Sequence, residues 1–403
     1  MRYTTAGESH GPALLAIVSE VPSGFALSTA AIDADLTRRQ SGYGRGGRMA
    51  IERDTVRILS GLRFGRTLGS PIALQIDNRD WPNWQERMAA EGRAPVDLVR
   101  EQTPRPGHAD LAGVQKTASD DCRDVLERAS ARESAARVAA GAVAKAWLAN
   151  FGVEISSYVT RIGTVTLPEE LIARKGAVFS TEKIERSELR CPDAQSTEAM
   201  KAAIDAARAA GDSLGGWFNV VASGLVPGIG GYAEATQRLD GRLAAALVSI
   251  PAIKGVQFGL GFAAGALPGS EVHDPIIVSE TDSGRIQPQR ATNNAGGLEG
   301  GMTNGELLLA SCVMKPIPTL TQPLATVDLL SGQRREASRE RSDVVAVPAA
   351  AVVAEAEVAM VLADAYGKKF GGDNLTDALA AFEHYINRLT ARSTSWARGT
   401  GER

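Results

Sequence analysis

A chain of 403 residues, 44% of them hydrophobic, can bury a sizeable core without disulfides or structural metals. Its 44 basic and 47 acidic side chains leave a net charge of −3, which gives no overall field for nucleic acid or anionic membrane. Three well-separated cysteines (Cys122, Cys191, Cys312) argue against a disulfide framework and a zinc site, and the polar start and lack of a spanning apolar stretch point to a reduced, cytoplasmic, soluble protein.

Along the chain, Ala13–Val21 reads as a buried strand, and Ser28 caps a helix over Thr29–Gln40. Val56–Leu59 and Ile72–Ile76 are further strands, separated by Gly61, Gly65 and Gly69. Residues 78–118 are rich in Pro, Arg and Asp without periodicity and predict a long binding or lid excursion. Helices are predicted over Ala131–Asn150, Thr197–Ala210, Ala235–Ile250, Pro348–Tyr366 and Thr376–Leu389, with strands at Val153–Leu167 and Gly216–Leu225. The alternation is no regular βαβ repeat, so the class is α+β. No linker is evident, and a single unit over 1–403 is expected, with loop insertions at about 40–53 and 78–118.

Four segments carry chemistry. Gly7-Glu8-Ser9-His10-Gly11 fits the hydrolase elbow pattern but stands at residue 7, before any sheet is expected, so that reading fails. A histidine between small residues can still approach a ligand closely. Arg38 to Arg48 holds four arginines and formally satisfies GxGxxG through Gly42, Gly44 and Gly47. It follows a helix rather than opening one, so the arginines, not the helix dipole, would capture carboxylate or phosphate. Arg105-Pro106-Gly107-His108-Ala109-Asp110 sets a second histidine beside glycine and arginine, and Arg128 to Ser134 opens the alanine-rich helix, where hydroxyls and free N–H groups suit an anion. Of the other histidines, His384 reads as structural and His273 as a loop residue. Two rivals remain: an NAD(P)H-dependent flavin oxidoreductase using Gly42–Gly47, and an RNA-binding module. The acidic balance and the lack of aromatics among the arginines disfavour the second.

In this order the segments resemble chorismate synthase, as do Asn293–Gly301, Lys315–Thr319 and Arg341-Ser342-Asp343. The resemblance implies a β-α-β sandwich with helices between antiparallel sheets, assembled as a homotetramer. It implies a lyase that converts 5-enolpyruvylshikimate 3-phosphate to chorismate and phosphate by anti 1,4-elimination, needing reduced FMN. His10, His108 and Asp364 are the acid–base candidates it implies, with Arg39, Arg45, Arg48, Arg105, Arg132 and Arg341 on the substrate. Arg128, Ala129, Ser130, Pro251, Ala252, Gly300, Lys315, Pro316, Ile317, Pro318, Thr319 and Arg341 are expected at the cofactor. With no appended reductase domain in view, a monofunctional type is expected, served by a separate source of reduced flavin.

Overall fold

The computed structural model describes residues 1–45, 53–172, 179–280, 286–338 and 343–399. Its first sheet comes from β1 (Arg2–Ala6), β2 (Ala13–Ser19), β3 (Val56–Ile58) and β4 (Ile72–Asp77), antiparallel throughout in the order β1-β2-β4-β3. Alternation decides its faces: Leu14, Ala16 and Val18 of β2 are buried, while Leu15 and Ile17 point outward. Helix α1 (Thr29–Gln40) starts where Ser28 accepts the Ala31 N–H at 3.2 Å, as expected of a hydroxyl cap. Then follow α2 (Asp110–Thr117), α3 (Arg123–Ala129) and α4 (Ser134–Ala149).

The second sheet contains β5 (Glu154–Ile162), β6 (Val165–Thr166), β7 (Gly216–Ser223), β8 (Ile253–Phe258) and β9 (Leu308–Met314), ordered β8-β9-β7-β5-β6 and again antiparallel. Helices α5 (Ala194–Ala209) and α6 (Leu239–Val248) lie between its strands in sequence, and α7 (Val347–Phe370) and α8 (Leu375–Gly399) close the chain. Helix α4 packs on β2 and β4, α7 packs on β5 and β7, and the two helices pack on each other. Sheet, helix pair, sheet is the α+β sandwich expected.

The helix pair meets through small residues. A Cβ on Gly141 of α4 would lie 2.2 Å from the Ala356 Cβ and 2.4 Å from its Cα. Gly141→Ala is therefore expected to destabilise, although alanine is the better helix former by about 1 kcal/mol. Overpacking of this kind costs about 1–3 kcal/mol, so a net loss of up to about 2 kcal/mol is expected. It should appear as a lower urea midpoint with unchanged slope.

Charge is also buried between the layers. Glu355 of α7 has no exposed surface and accepts both terminal nitrogens of Arg38 at 2.8 Å, Lys145 Nζ at 2.7 Å, Arg190 Nη2 at 2.9 Å and the Ser157 hydroxyl at 2.6 Å. Burial alone would raise its carboxyl pKa. The charges of Lys145, Arg38 and Arg190 overcome that and hold it far below the ordinary range.

Several boundaries differ from expectation. The first strand was not anticipated: β1 pairs with β2 from Arg2 opposite Ser19 to Ala6 opposite Leu15, so the Gly7–Gly11 segment does follow a strand. It leads into another strand rather than a helix, which still excludes the elbow. The 78–118 excursion contains a 3₁₀ turn at Trp81–Asn83 and ends in α2. Helix α3 has seven residues, too few for periodicity to mark. The helices expected over 131–150 and 235–250 each begin with a separate 3₁₀ turn, at Ala131–Glu133 and Ala235–Gln237.

Candidate active site

A cleft of about 570 Å³ opens between the β1–β2 loop, the C-terminal end of α1, the loop before α2, the start of α4, the edge of β8, the segment after β9 and the first turns of α7. Among its described lining residues are Arg39, Arg45, Arg105, Arg132 and Lys315, with Asp343 the carboxylate on the surface. The same lining carries Ile250, Pro251, Ala252, Met314, Ile317 and Pro318, with Ala346, Ala349, Ala350 and Val353 of α7. Cationic and apolar groups share the cleft, a mixture suited to a flat ring carrying anionic groups.

His10 sits in the β1–β2 loop. That loop leaves the strand at Gly7, whose φ is +104° and where a Cβ would lie 2.3 Å from the Ala13 carbonyl oxygen, so no side chain fits. The Glu127 carboxylate accepts the His10 backbone N–H at 2.8 Å and meets Nδ1 at 2.9 and 3.0 Å. The ring stacks on Trp84 with centroids 3.9 Å apart. Burial would raise the Glu127 pKa, but its bonds to His10 and Arg123 outweigh that and keep it below the ordinary value. Ser9, one residue earlier, accepts the Ser130 hydroxyl at 3.3 Å.

His108 is held in the same manner. Its Nδ1 meets Asp110 Oδ1, and Arg105 donates to the same carboxylate from Nε at 2.8 Å and from its backbone at 3.0 Å. Arg105 also reaches the Thr319 hydroxyl at 3.3 Å. Burial works against ionisation of Asp110, yet the bonds from His108 and Arg105 keep it far below the ordinary carboxylate range.

The arginines fall into pairs with carboxylates. Asp54 accepts Arg132 Nη1 at 2.7 Å on both oxygens and Arg39 Nη2 at 2.8 Å. Asn78 accepts Arg132 from Nε and Nη2 at 3.1 and 3.0 Å, and donates to the Gly11 carbonyl at 2.6 Å, joining this cluster to the histidine loop. Arg39 is 5% exposed, and its Nε has no hydrogen-bond partner among the described residues. Arg45 pairs with Asp343 at 2.8 Å. Lys315 Nζ donates to the Gly107 carbonyl, and its N–H donates to the carbonyl of Ala252, whose φ of +68° is uncommon for a residue with a side chain.

The expected residues divide accordingly. His10, His108, Arg39, Arg45, Arg105, Arg132, Ala129, Ser130, Pro251, Ala252, Lys315, Ile317, Pro318 and Thr319 come together on one cleft. Arg48 and Arg341 lie outside the described residues. Arg128 turns away, donating to the carbonyls of Gly7 and Thr5 at 3.0 Å each. Gly300 is exposed and off the lining, as is Pro316 between two lining neighbours. Arg38, one position from Arg39 and therefore about 100° around the helix, enters the Glu355 network instead.

Asp364 is also off the cleft. It binds the Met1 amino group at 3.2 Å, Lys368 at 2.7 Å and Arg242. It lies eleven residues beyond Val353, about 16 Å along the helix axis. What motif reading missed is the set of carboxylates behind the bases and arginines: Asp54, Asp110, Glu127 and Asp343. Asp110 stood two positions from His108, and Asp343 two from Arg341, so adjacency was the signal available for those two.

The family model described as chorismate synthase matches residues 1–366. Among curated proteins, the chorismate synthase of Rubrobacter xylanophilus is 54% identical over 96% of this chain and 97% of its own length. That of Geobacter sulfurreducens is 51% identical over 97% and 100%. A crystal structure of chorismate synthase, 43% identical, superposes with a TM-score of 0.77 over 97% of this chain and 98% of the other.

Proposed function

The chain belongs to the chorismate synthase family, lyases that form chorismate on the way to the aromatic amino acids, and from that premise we propose that it acts on 5-enolpyruvylshikimate 3-phosphate with reduced FMN. The observation that carries this reading is the pairing, on one cleft, of two carboxylate-anchored histidines with four arginines and a set of apolar side chains.

The substrate brings two carboxylates and a phosphate, and the cofactor another phosphate. Arg39, Arg45, Arg105 and Arg132 supply fixed guanidinium groups that suit such anions, and the unpartnered Nε of Arg39 leaves a buried donor there. Ala129, Ser130, Pro251, Ala252, Lys315, Ile317, Pro318 and Thr319 would hold the flavin, the apolar members among them suiting its ring. When bound, reduced FMN supplies an electron-rich ring against the substrate, and the elimination involves no net redox change.

His10, protonated on both ring nitrogens before the step, is the general acid for the departing phosphate, giving up the Nε2 proton and remaining as the Nδ1–H imidazole. His108 hydrogen-bonds or protonates the flavin. Histidine suits both roles because its ordinary pKa lies near working pH. The acceptor role expected of Asp364 passes to Asp343, the carboxylate on the lining. The reduced FMN would come from a separate flavin reductase or another source of reduced flavin. Rapid NADPH oxidation by the FMN-loaded chain would contradict this.

The homotetramer is supported by apolar side chains left outside: Leu15 and Ile17 on the first sheet, and Ile276 and Val278 on the hairpin of Ile276–Glu280 and Ile286–Arg290. Light scattering on the purified chain should give four times the 42.3 kDa chain mass, and a monomer would reject it. A cytoplasmic location is consistent with the pathway, and no helix among the described residues is long and apolar enough to cross a membrane.

The deciding assay is anaerobic. The chain, substrate and dithionite-reduced FMN should release phosphate and form chorismate in equal amounts, with neither appearing when the FMN is oxidised. Silence from a folded, FMN-binding sample would favour the oxidoreductase.

A further inference from the structure

We infer that Glu127 is a positioning residue for His10, keeping one proton on Nδ1 in both the acid and its conjugate base, so that Nε2 is the atom presented to the reacting ligand and the one that gives up the second proton. This rests on the acid role proposed above for His10. An ionised carboxylate only accepts hydrogen bonds, so the nitrogen that meets both of its oxygens must carry hydrogen. The same carboxylate takes the His10 backbone N–H, which fixes the ring's attachment point as well as its outer edge.

Two further contacts settle the plane and the anchor. Trp84 lies 3.9 Å from the imidazole at an interplanar angle of 25°, which blocks rotation about the Cβ–ring bond. Arg123 holds Glu127 Oε1 at 2.7 Å while lying over the Trp84 ring, 5.1 Å from its centroid. Carboxylate, imidazole, indole and guanidinium thus form a closed bracket. Glu127 is 2% exposed, so water does not compete for it. The bracket sits on α3, three residues before Ser130, whose hydroxyl binds Ser9 beside His10; one short helix sets both distances.

The test uses the full chain with reduced FMN and compares H10A, E127Q and the double variant. Glutamine keeps the shape but offers both donor and acceptor, so it no longer dictates the tautomer. E127Q is expected to lower kcat about 10–100-fold, the range for losing an orienting partner of a histidine, with KM for the substrate little changed. The ¹⁵N imidazole signals of His10 should shift from the Nδ1–H form to a mixture. H10A with E127Q should be no slower than H10A alone.

Wild-type kcat in E127Q beside a slow H10A would overturn the inference, and so would a double variant slower than H10A by the full E127Q factor. The wild-type spectrum is an independent check that needs no variant: a neutral His10 with its proton on Nε2 overturns the assignment outright. Full turnover by H10A would instead sink the acid role itself, and Glu127 would then have nothing to position.

Discussion

Glu355→Ala is expected to cost about 3–5 kcal/mol of folding free energy, the range for removing one partner from a buried ion cluster. The substitution leaves Arg38, Lys145 and Arg190 sharing two carboxylates, Asp35 and Glu185, where they had three. Much of the loss comes from that one uncompensated positive charge between the layers, not only from the attraction removed. Glu355→Gln should fall between, since it keeps the volume and an acceptor for Ser157 but not the charge. Chemical denaturation at neutral pH measures both. A wild-type midpoint in Glu355→Ala would mean that water reaches this cluster.

The pH dependence has a definite sign. Because the folded-state pKa of Glu355 is depressed, its contribution is complete above the ordinary glutamate value of 4.5 and declines as pH falls below it toward the folded value. The stability gap between wild type and Glu355→Gln should therefore be widest near neutrality and narrow on acidification. A gap that widened in acid would reverse the assignment.

His108→Ala is expected to lower kcat by about 10²–10⁴, the usual worth of a positioned acid or base. The variant should keep its fold. Asp110 remains bonded to the Arg105 backbone and side chain, and Arg105 remains tied to Thr319, so the wall of the cleft does not depend on the imidazole. Anaerobic single turnovers with reduced FMN separate this loss from weaker binding. A rate within about threefold of wild type, with binding unchanged, would remove His108 from the chemistry.

Some of this was readable from the residues and some was not. Helix α1 was legible to the residue because its start is a local device, Ser28 capping Ala31, and its end is marked by Ser41 and Gly42. The strands of the second sheet were legible as apolar runs, though the turn at Gly163 that divides β5 from β6 was not. Strand β1 was missed because Arg2 to Ala6 carries little apolar signal and is defined by its pairing with β2. Arg39 and Arg38 are chemically alike in sequence, and only the packing of α1 against α4 and α7 assigns one to the cleft and the other to Glu355. Asp364 was chosen as a carboxylate on a late helix; the helix was right, but the cleft uses its first turns. Asp54 gave no motif signal, since its role is to neutralise two arginines that meet only in the folded chain.

The cleft's supports have a consequence for how the molecule matures. His10 binds Glu127, Arg45 binds Asp343, and Arg105 binds Thr319, so the ties that shape the cleft cross from 117 to nearly 300 positions of sequence. Contacts of that reach form late, after large loops have closed, and proteins dominated by them fold slowly. Ligand affinity should accordingly be absent from partly folded chains and arrive in one step with the docking of α7. A ligand at 100 times its Kd would then add about 2.7 kcal/mol to global unfolding rather than to any local opening, so the amplitude of the ligand-shifted transition would report the fraction of finished molecules.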